Sequence, residues 1–374
     1  MLKKHGKKVI SALLAMFMLI TPNSIVSVSA EDNDAMSESM LQNTAGAYIQ
    51  NRTEIMLSDD NLSINSNTDA DILAISSSEK LQIEKYRNTL AQMGETYSDS
   101  TSSVELLAQY IDDDGELHVK AKETTMLTIA ENGVETGYTA QHEFIYTNIN
   151  GCWVLTEDRQ LEPTGLLPLC EAIKFVYCNE SSSLNINETT AEISIYPGEI
   201  EASVAKPRVE SPDKNYNTKS YNYNAMATYL ETYWDDYNDD YRDFTDSGGD
   251  CTNFASQALR AGGWEDVNGF YQNYNYWWYN FLNQTWSWTS VTYLGSFARA
   301  SGRCSMLANV WDLRVGDFLQ VQPENSTSKV HTMMVSYFSN GTPYFTYHTS
   351  NRYRRSMNQV LLDWGDASYY AYRT

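Results

Sequence analysis

The clearest hydrophobic pattern in the chain is the alternation in "ELHVKAKETTMLTIA". Leu117, Val119, Ala121, Leu127 and Ile129 hold odd positions, and His118, Lys120, Lys122 and Thr128 hold even ones. Successive side chains of an extended chain point to opposite faces, so this is a half-buried strand. "TAQHEFIYT" and "CWVLTED" continue as strands, joined by Asn150-Gly151, the pair favoured in a two-residue type I′ hairpin. Ahead of them, "SEKLQIEKYRNTLAQMG" (78–94) has helical spacing and a glycine stop. The pattern predicts a small α+β domain with a curved antiparallel sheet, spanning 76–203 with a packed connector. Residues 31–75, rich in Ser, Asn and Asp, read as a loosely ordered lead-in with one short helix around "AGAYIQNRTEIM".

Prolines at 207 and 212 mark 204–215 as a linker. Beyond it, "YNYNAMATYLETYWDDY" places Met226, Tyr229, Leu230, Tyr233 and Tyr237 on one side of a helix. A second helix opens at "DCTNFASQALRAGG", with Asp250 as its N-cap and Gly262-Gly263 as its stop. Strands are expected at "GDFLQVQ" (316–322), "HTMMVSYF" (331–338), "PYFTYHTS" (343–350) and "YYAYR". The fold class is therefore α+β in both parts, with the second domain covering 216–374.

Residues 1–30 have a basic start (Lys3, Lys4, Lys7, Lys8), the apolar run "VISALLAMFMLI" and small residues ending at Ala30. That is the pattern of a secretory signal peptide, so an exported protein, secreted or wall-associated, is expected. No other stretch is long enough to span a membrane, so no integral membrane contact is expected after cleavage. The net charge of −22 opposes binding to nucleic acid or anionic lipid. Five cysteines, at 152, 170, 178, 251 and 304, leave at least one unpaired in an oxidising compartment, and Cys251 is the choice for the odd one. Their pairing stays open. No Cys/His ligand cluster is present, so neither a metal nor another cofactor is expected. "IDDDGEL" does not make a calcium loop. With Gly115 at the sixth position, the first and twelfth would be Tyr110 and Ala121, and neither carries a carboxylate. It is a turn. His118 and His142 read as strand-face residues with nothing in sequence to pair with them.

Cys251 falls in the first turn of its helix, where unpaired amides and the dipole favour a thiolate and can hold an oxyanion. Asp250 and Asn253 are the candidates for positioning substrate or oxyanion. The domain has two histidines, His331 and His348, on strands joined by Asn340-Gly341. A two-residue turn sets Ser339 opposite Thr342, hence Met333 opposite His348 and His331 opposite Ser350. Both rings then share one face, with His331 as base and His348 as its orienter. A turn of odd length would favour Asn351 for the third role. Asp317 and Cys304 read as structural. Residues 264–293 hold an aromatic cluster, of which Trp277, Trp278, Trp286 and Trp288 are expected to line a substrate cleft.

"DCTNFASQALRAGGW", "GDFLQV", "HTMMVS" and "YHTSNR" together resemble the amidase domain family of exported Gram-positive bacterial proteins, over about 216–374. That family is similar to the papain-like cell-wall hydrolases and related in fold to the CHAP amidases. The resemblance implies a papain-like domain, with a nucleophile helix packed on an antiparallel sheet, and amide hydrolysis through an acyl-enzyme without metal. It carries the nucleophile onto Cys251, the histidine onto His331 and the polar third position onto His348. The expected substrate is peptidoglycan or a related cell-wall peptide. The alternatives are a non-catalytic wall- or glycan-binding protein with an aromatic platform, and a thioester acyltransferase.

Overall fold

A computed structural model describes residues 36–57, 73–168, 208–209, 220–324 and 326–374. The signal-peptide segment, most of the connector and linker, Cys170 and Cys178 lie outside the described residues.

Helix α1 (Glu38–Glu54) is longer than the segment expected, because Ser37 caps it by accepting from the Met40 amide. Leu41, Ala45, Tyr48, Ile49 and Arg52 recur at helical spacing and are buried. Helix α2 (Ser77–Gln92) is capped by Ser76, and Gly94 leaves it with φ +81°. Four long strands follow: β1 (Tyr97–Ile111), β2 (Leu117–Ile129), β3 (Glu135–Ile149) and β4 (Cys152–Gln160). They form an antiparallel meander, β1 on β2, β2 on β3 and β3 on β4. The hairpin residues Asn150 (φ 56°) and Gly151 (φ 88°) both take the left-handed conformation that a type I′ turn demands. "IDDDGEL" is a turn as expected, with Asp112 Oδ1 accepting from the amides of Asp114 and Glu116. Every odd position of β2 is buried, including Glu123 and Thr125.

Strand β5 is the short Arg208–Val209. Helix α3 (Tyr223–Thr232) buries Met226 and Leu230, and it stops before Tyr233 and Tyr237 rather than carrying them on its face. Helix α4 (Cys251–Ala261) starts and ends where the sequence suggests. The β6–β7 hairpin (Tyr279–Asn280, Asn283–Gln284) and helices α5 (Trp286–Thr289) and α6 (Val291–Ala300) carry the aromatic segment. Strands β8 (Ser305–Met306), β9 (Phe318–Gln322), β10 (His331–Ser339), β11 (Thr342–Tyr347) and β12 (Arg352–Ser356) follow, then helix α7 (Met357–Trp364) and β13 (Ser368–Arg373).

The sheet order is β1-β2-β3-β12-β11-β10-β9-β13-β5, with β4 off β3 and β8 off β13. The N-terminal meander and the C-terminal strands are thus one α+β sheet, joined where β12 pairs antiparallel with β3 through Arg352↔Tyr138 and Tyr353↔Gly137. Two arginines staple this seam. Buried Arg352 donates to the carbonyls of Pro163 (3.2 Å) and Thr164 (3.0 Å). Buried Arg355 pairs with Asp363 at 2.7 Å and donates to the Gly165 carbonyl (3.1 Å) and the Tyr86 hydroxyl (3.0 Å). A Cβ at Gly165 would lie 2.2 Å from the Tyr138 ring, so only glycine admits that approach. Helices α3 and α4 cover one face of β10 and β11, while α7 covers the other.

Candidate functional site

Cys251 is the first residue of α4 and is buried, with 5% of its surface exposed. The backbone amides of Thr332 and Thr252 donate to its sulfur, and the Thr252 hydroxyl lies 3.7 Å from Sγ. That hydroxyl also meets Thr332 Oγ1 at 3.0 Å, tying the helix start to β10. Burial raises the thiol above its usual range and outweighs these donors, so the resting thiol is protonated. The Cys251 amide, in the helix's first turn, has no intrahelical acceptor.

Asp250 departs from the expectation. It occupies the N-cap position, but its side chain makes no capping bond. Instead Oδ1 accepts from the Phe244 amide (3.0 Å) and Asn253 Nδ2 (2.8 Å), and Oδ2 meets His348 Nδ1 at 2.7 Å. A carboxylate so placed is an acceptor and offers no donor to an oxyanion. Asn253 is also committed. Its Nδ2 donates to the Arg242 carbonyl (2.9 Å) and to Asp250, and its Oδ1 accepts from Trp288 Nε1 (2.7 Å). Both residues build the helix entrance; neither is free to touch an oxyanion.

His348 is fully enclosed. Tyr237 stacks on one side at 3.7 Å and Phe254 on the other at 3.6 Å, both nearly parallel. Its Nε2 faces the Tyr233 carbonyl at 2.7 Å, and a carbonyl only accepts, so Nε2 carries a hydrogen. The Asp250–His348 contact then holds a single proton between two partners, a carboxylate–imidazole dyad. Phe254 and Tyr237 were not singled out from the sequence. The available signal for Phe254 was its place four residues after Asp250, on the same helix face.

His331 lies elsewhere. The Asn340-Gly341 turn forms as expected, with φ 47° and 84°, and Ser339 pairs with Thr342. The register then slips at Ser336, where Tyr337↔Tyr344 is followed by Val335↔Phe345 and Met334↔Thr346. This bulge reverses face parity along the rest of the pair. Continued, the register sets Thr332 beside His348. Thr332 and Met334 face α4, while His331, Met333 and Val335 face α7. The two histidines therefore do not share a face. His331 packs edge-on to Tyr347 (4.9 Å) and stacks on Trp364 (5.7 Å). Burial, with the Arg352 charge adding to it, pushes its pKa down to about 3, and its Nε2 has no hydrogen-bond partner.

The aromatic segment divides. Trp277 and Trp288 are fully buried in the core around α4 and α6, which corrects their assignment to a cleft. Trp278 is half-buried and donates to the Gly269 carbonyl (3.0 Å), and Trp286 is 41% exposed. Asn351 accepts from the Tyr237 hydroxyl at 2.8 Å, behind the His348 sandwich. Cys304 is buried in the same core as Trp277. Asp317, an expected turn residue, is a buried acceptor for the amides of Arg314 (2.8 Å) and Thr374 (3.1 Å) and for Arg373 Nε (2.7 Å).

The N-terminal histidines have partners that the sequence did not suggest. His142 is buried between Asp158 (2.7 Å) and Glu123 (2.8 Å), with Arg52 3.8 Å from Glu123. His118 lies 3.1 Å from Asp112 and 3.4 Å from Glu143. Asp112, Glu116 and His118 are close enough together to hold a cation, yet the turn's own hydrogen bonds account for the orientation of Asp112.

Residues 220–372 match the family model described as "Putative amidase domain". Over these residues the chain is similar to that family. The match spans α3 to β13, so the dyad, the thiol and the β10–β12 strands all lie within the matched segment. No curated protein matches the chain. Among solved structures, the intermembrane space region of the chloroplast protein ARC6 is similar at 16% identity over 34% of this chain and 97% of its own, with a TM-score of 0.24. That score is too low to inform fold or function.

Proposed function

We propose that the protein is an exported, cysteine-dependent amide hydrolase acting on peptide amides of the bacterial cell wall, with Cys251 as nucleophile. Similarity to the amidase family over residues 220–372 supports amide hydrolysis as the reaction class. The observation that carries the cysteine assignment is the thiol at the first turn of α4 with two backbone N–H groups directed at its sulfur. Such donors stabilise a thiolate once a base takes the proton, and the Cys251 amide is then a ready donor to the carbonyl oxygen under attack.

His331 is the base in this reading. It is neutral above about pH 3 and has an unengaged nitrogen, and the amide that follows it in sequence is one of the two touching Sγ. Its ring lies on the α7 face, and rotation about Cα–Cβ leaves it there, so proton transfer requires the start of β10 to twist until His331 faces α4. His348 spends both nitrogens, and with Asp250 it serves to fix the helix entrance. Attack forms a thioester and releases the amine, which leaves with the proton from Cys251. Water then hydrolyses the thioester and restores the thiol.

Export is supported by the pattern of residues 3–30, and among the described residues no helix is long and apolar enough to cross a membrane. A second reading, a wall-binding protein without catalysis, is favoured by one observation: no histidine hydrogen-bonds Cys251 among the described residues, and its thiol is held protonated. The test is incubation of the protein and its Cys251→Ala variant with purified peptidoglycan, with new amino groups and fragments read by mass spectrometry. New amines from the unaltered protein alone are expected. Release by neither, with both still sedimenting with the wall, would reject the hydrolase in favour of the binding protein. Capture of the acyl group by an added amine would redefine it as an acyltransferase.

A further inference from the structure

Between the two halves of the sheet lies a cavity of about 320 Å³, at the lower end of ligand-pocket sizes. One wall comes from the N-terminal meander, with Lys122 of β2, Gln141 of β3 and Glu162 just beyond β4. The other comes from the 235–245 loop, with Asp235 and Asp243, and from Thr349 and Ser350 after β11.

Three features mark it as a built site. Its lining is polar and carries three carboxylates against one ammonium. That ammonium is already engaged, because Lys122 Nζ donates to the Asp235 carbonyl at 3.0 Å. Among the described residues Glu162, Asp235 and Asp243 have no ion-pair partner, and burial pushes the Glu162 carboxyl up despite the fields of Arg352 and Lys122. Second, Thr349 and Ser350 hold φ of 63° and 65°, consecutive left-handed positions without a glycine. For β-branched Thr349 this is a costly conformation, of the kind that persists where surrounding structure holds a functional loop in place. Third, the cavity wall is continuous with the amidase-family site. Thr349 Oγ1 accepts from the Asp250 amide at 2.9 Å, and Tyr237 lines the cavity while its ring covers His348 at 3.7 Å.

We infer that this cavity binds an amine-bearing peptide segment, with Glu162, Asp235 and Asp243 as counter-charges and the Thr349–Ser350 turn, which holds the amide of Asp250 at the helix entrance, as its floor. An alkylammonium brings one positive charge and three donors into a pocket rich in acceptors, and the excess of carboxylates excludes acidic segments. The N-terminal half thus supplies part of the recognition surface. As a substrate subsite the cavity rests on the hydrolase reading; as a binding site it does not.

The experiment separates the two. Calorimetric titration of Cys251→Ala protein, which needs no turnover, uses N-acetyl-alanyl-lysine methylamide and the same peptide acetylated at Nε. Saturable binding of the free amine is expected, with the acetylated form about tenfold weaker or worse, as loss of a charge-assisted contact implies. Adding Glu162→Gln or, separately, Asp235→Asn should weaken the amine by a similar factor while leaving the near-ultraviolet circular dichroism unchanged. Equal affinity for the two peptides, absence of saturable binding, or indifference to both substitutions would overturn the inference. Binding of the amine alongside an unaltered protein that cleaves no peptidoglycan would keep the cavity and remove the hydrolase. Cleavage without amine binding would do the reverse.

Discussion

Replacing His142 with glutamine probes the buried charge cluster of the N-terminal half. The imidazole is enclosed, and burial alone would keep it neutral. Asp158 at 2.7 Å and Glu123 at 2.8 Å outweigh that and raise its pKa to about 9 from an ordinary value of 6.5. Glu123 also receives the Tyr138 hydroxyl (2.7 Å), and its own carboxyl is lowered although burial opposes this, because His142 and Arg52 favour the charged form. A histidine raised on folding adds stability that is complete below its unfolded pKa and lost as pH rises through its folded one. A shift of about 2.5 units at 1.36 kcal/mol each is of the order of 3 kcal/mol, shed between about pH 6.5 and 9. The assay is urea unfolding of the protein and of His142→Gln at pH 6, 7.5 and 9.5, taking the difference between the two at each pH. That difference should shrink by about 3 kcal/mol from pH 6 to 9.5. A difference that stays constant across the range would refute the claim that His142 is charged in the folded protein.

Trp288 and Trp286 stand two residues apart with opposite fates. Trp288→Ala should cost about 3–5 kcal/mol in denaturant unfolding, whereas Trp286→Ala, which loses only edge contacts to Tyr271 and Tyr293, should cost about 1 kcal/mol. Equal costs would mean that Trp286 is as buried in solution as Trp288. With His331 held neutral down to about pH 3 and the Cys251 thiol raised, hydrolysis should show no acid limb near pH 6.5 and should still climb at pH 9. An acid limb near pH 6.5 would place the His331 ring in water rather than among Tyr347 and Trp364.

The elements with strong local signals were legible: β2 from its alternation, the Asn150-Gly151 and Asn340-Gly341 turns, and α4 with its cysteine at the first turn. Even Glu123 was visible in principle, since it stands on the buried face of β2. The placement of the histidines was not. Parity counted from a turn holds only while pairing is regular, and the single bulge at Ser336 carries no marker such as glycine. Strand β12 was hidden for another reason. "RYRRS" looks solvent-facing by composition, yet Arg352 and Arg355 are buried because distant carbonyls, Tyr86 and Asp363 satisfy them. Asp250 looked like a helix cap, and only the strand that brings His348 to it changes that.

The pairing of β12 with β3 also sets how portable the amidase-family part is. A fragment beginning near residue 216 would expose β12 as a bare edge, with unpaired backbone groups, Arg352 stripped of the Pro163 and Thr164 carbonyls, and Arg355 left with Asp363 but without Gly165 and Tyr86. Unprotected edges of this kind invite pairing with other chains. The boundary that sequence similarity draws at residue 220 is therefore a poor place to cut, and a graft of this chemistry onto another carrier would have to bring its own strand to cap that edge.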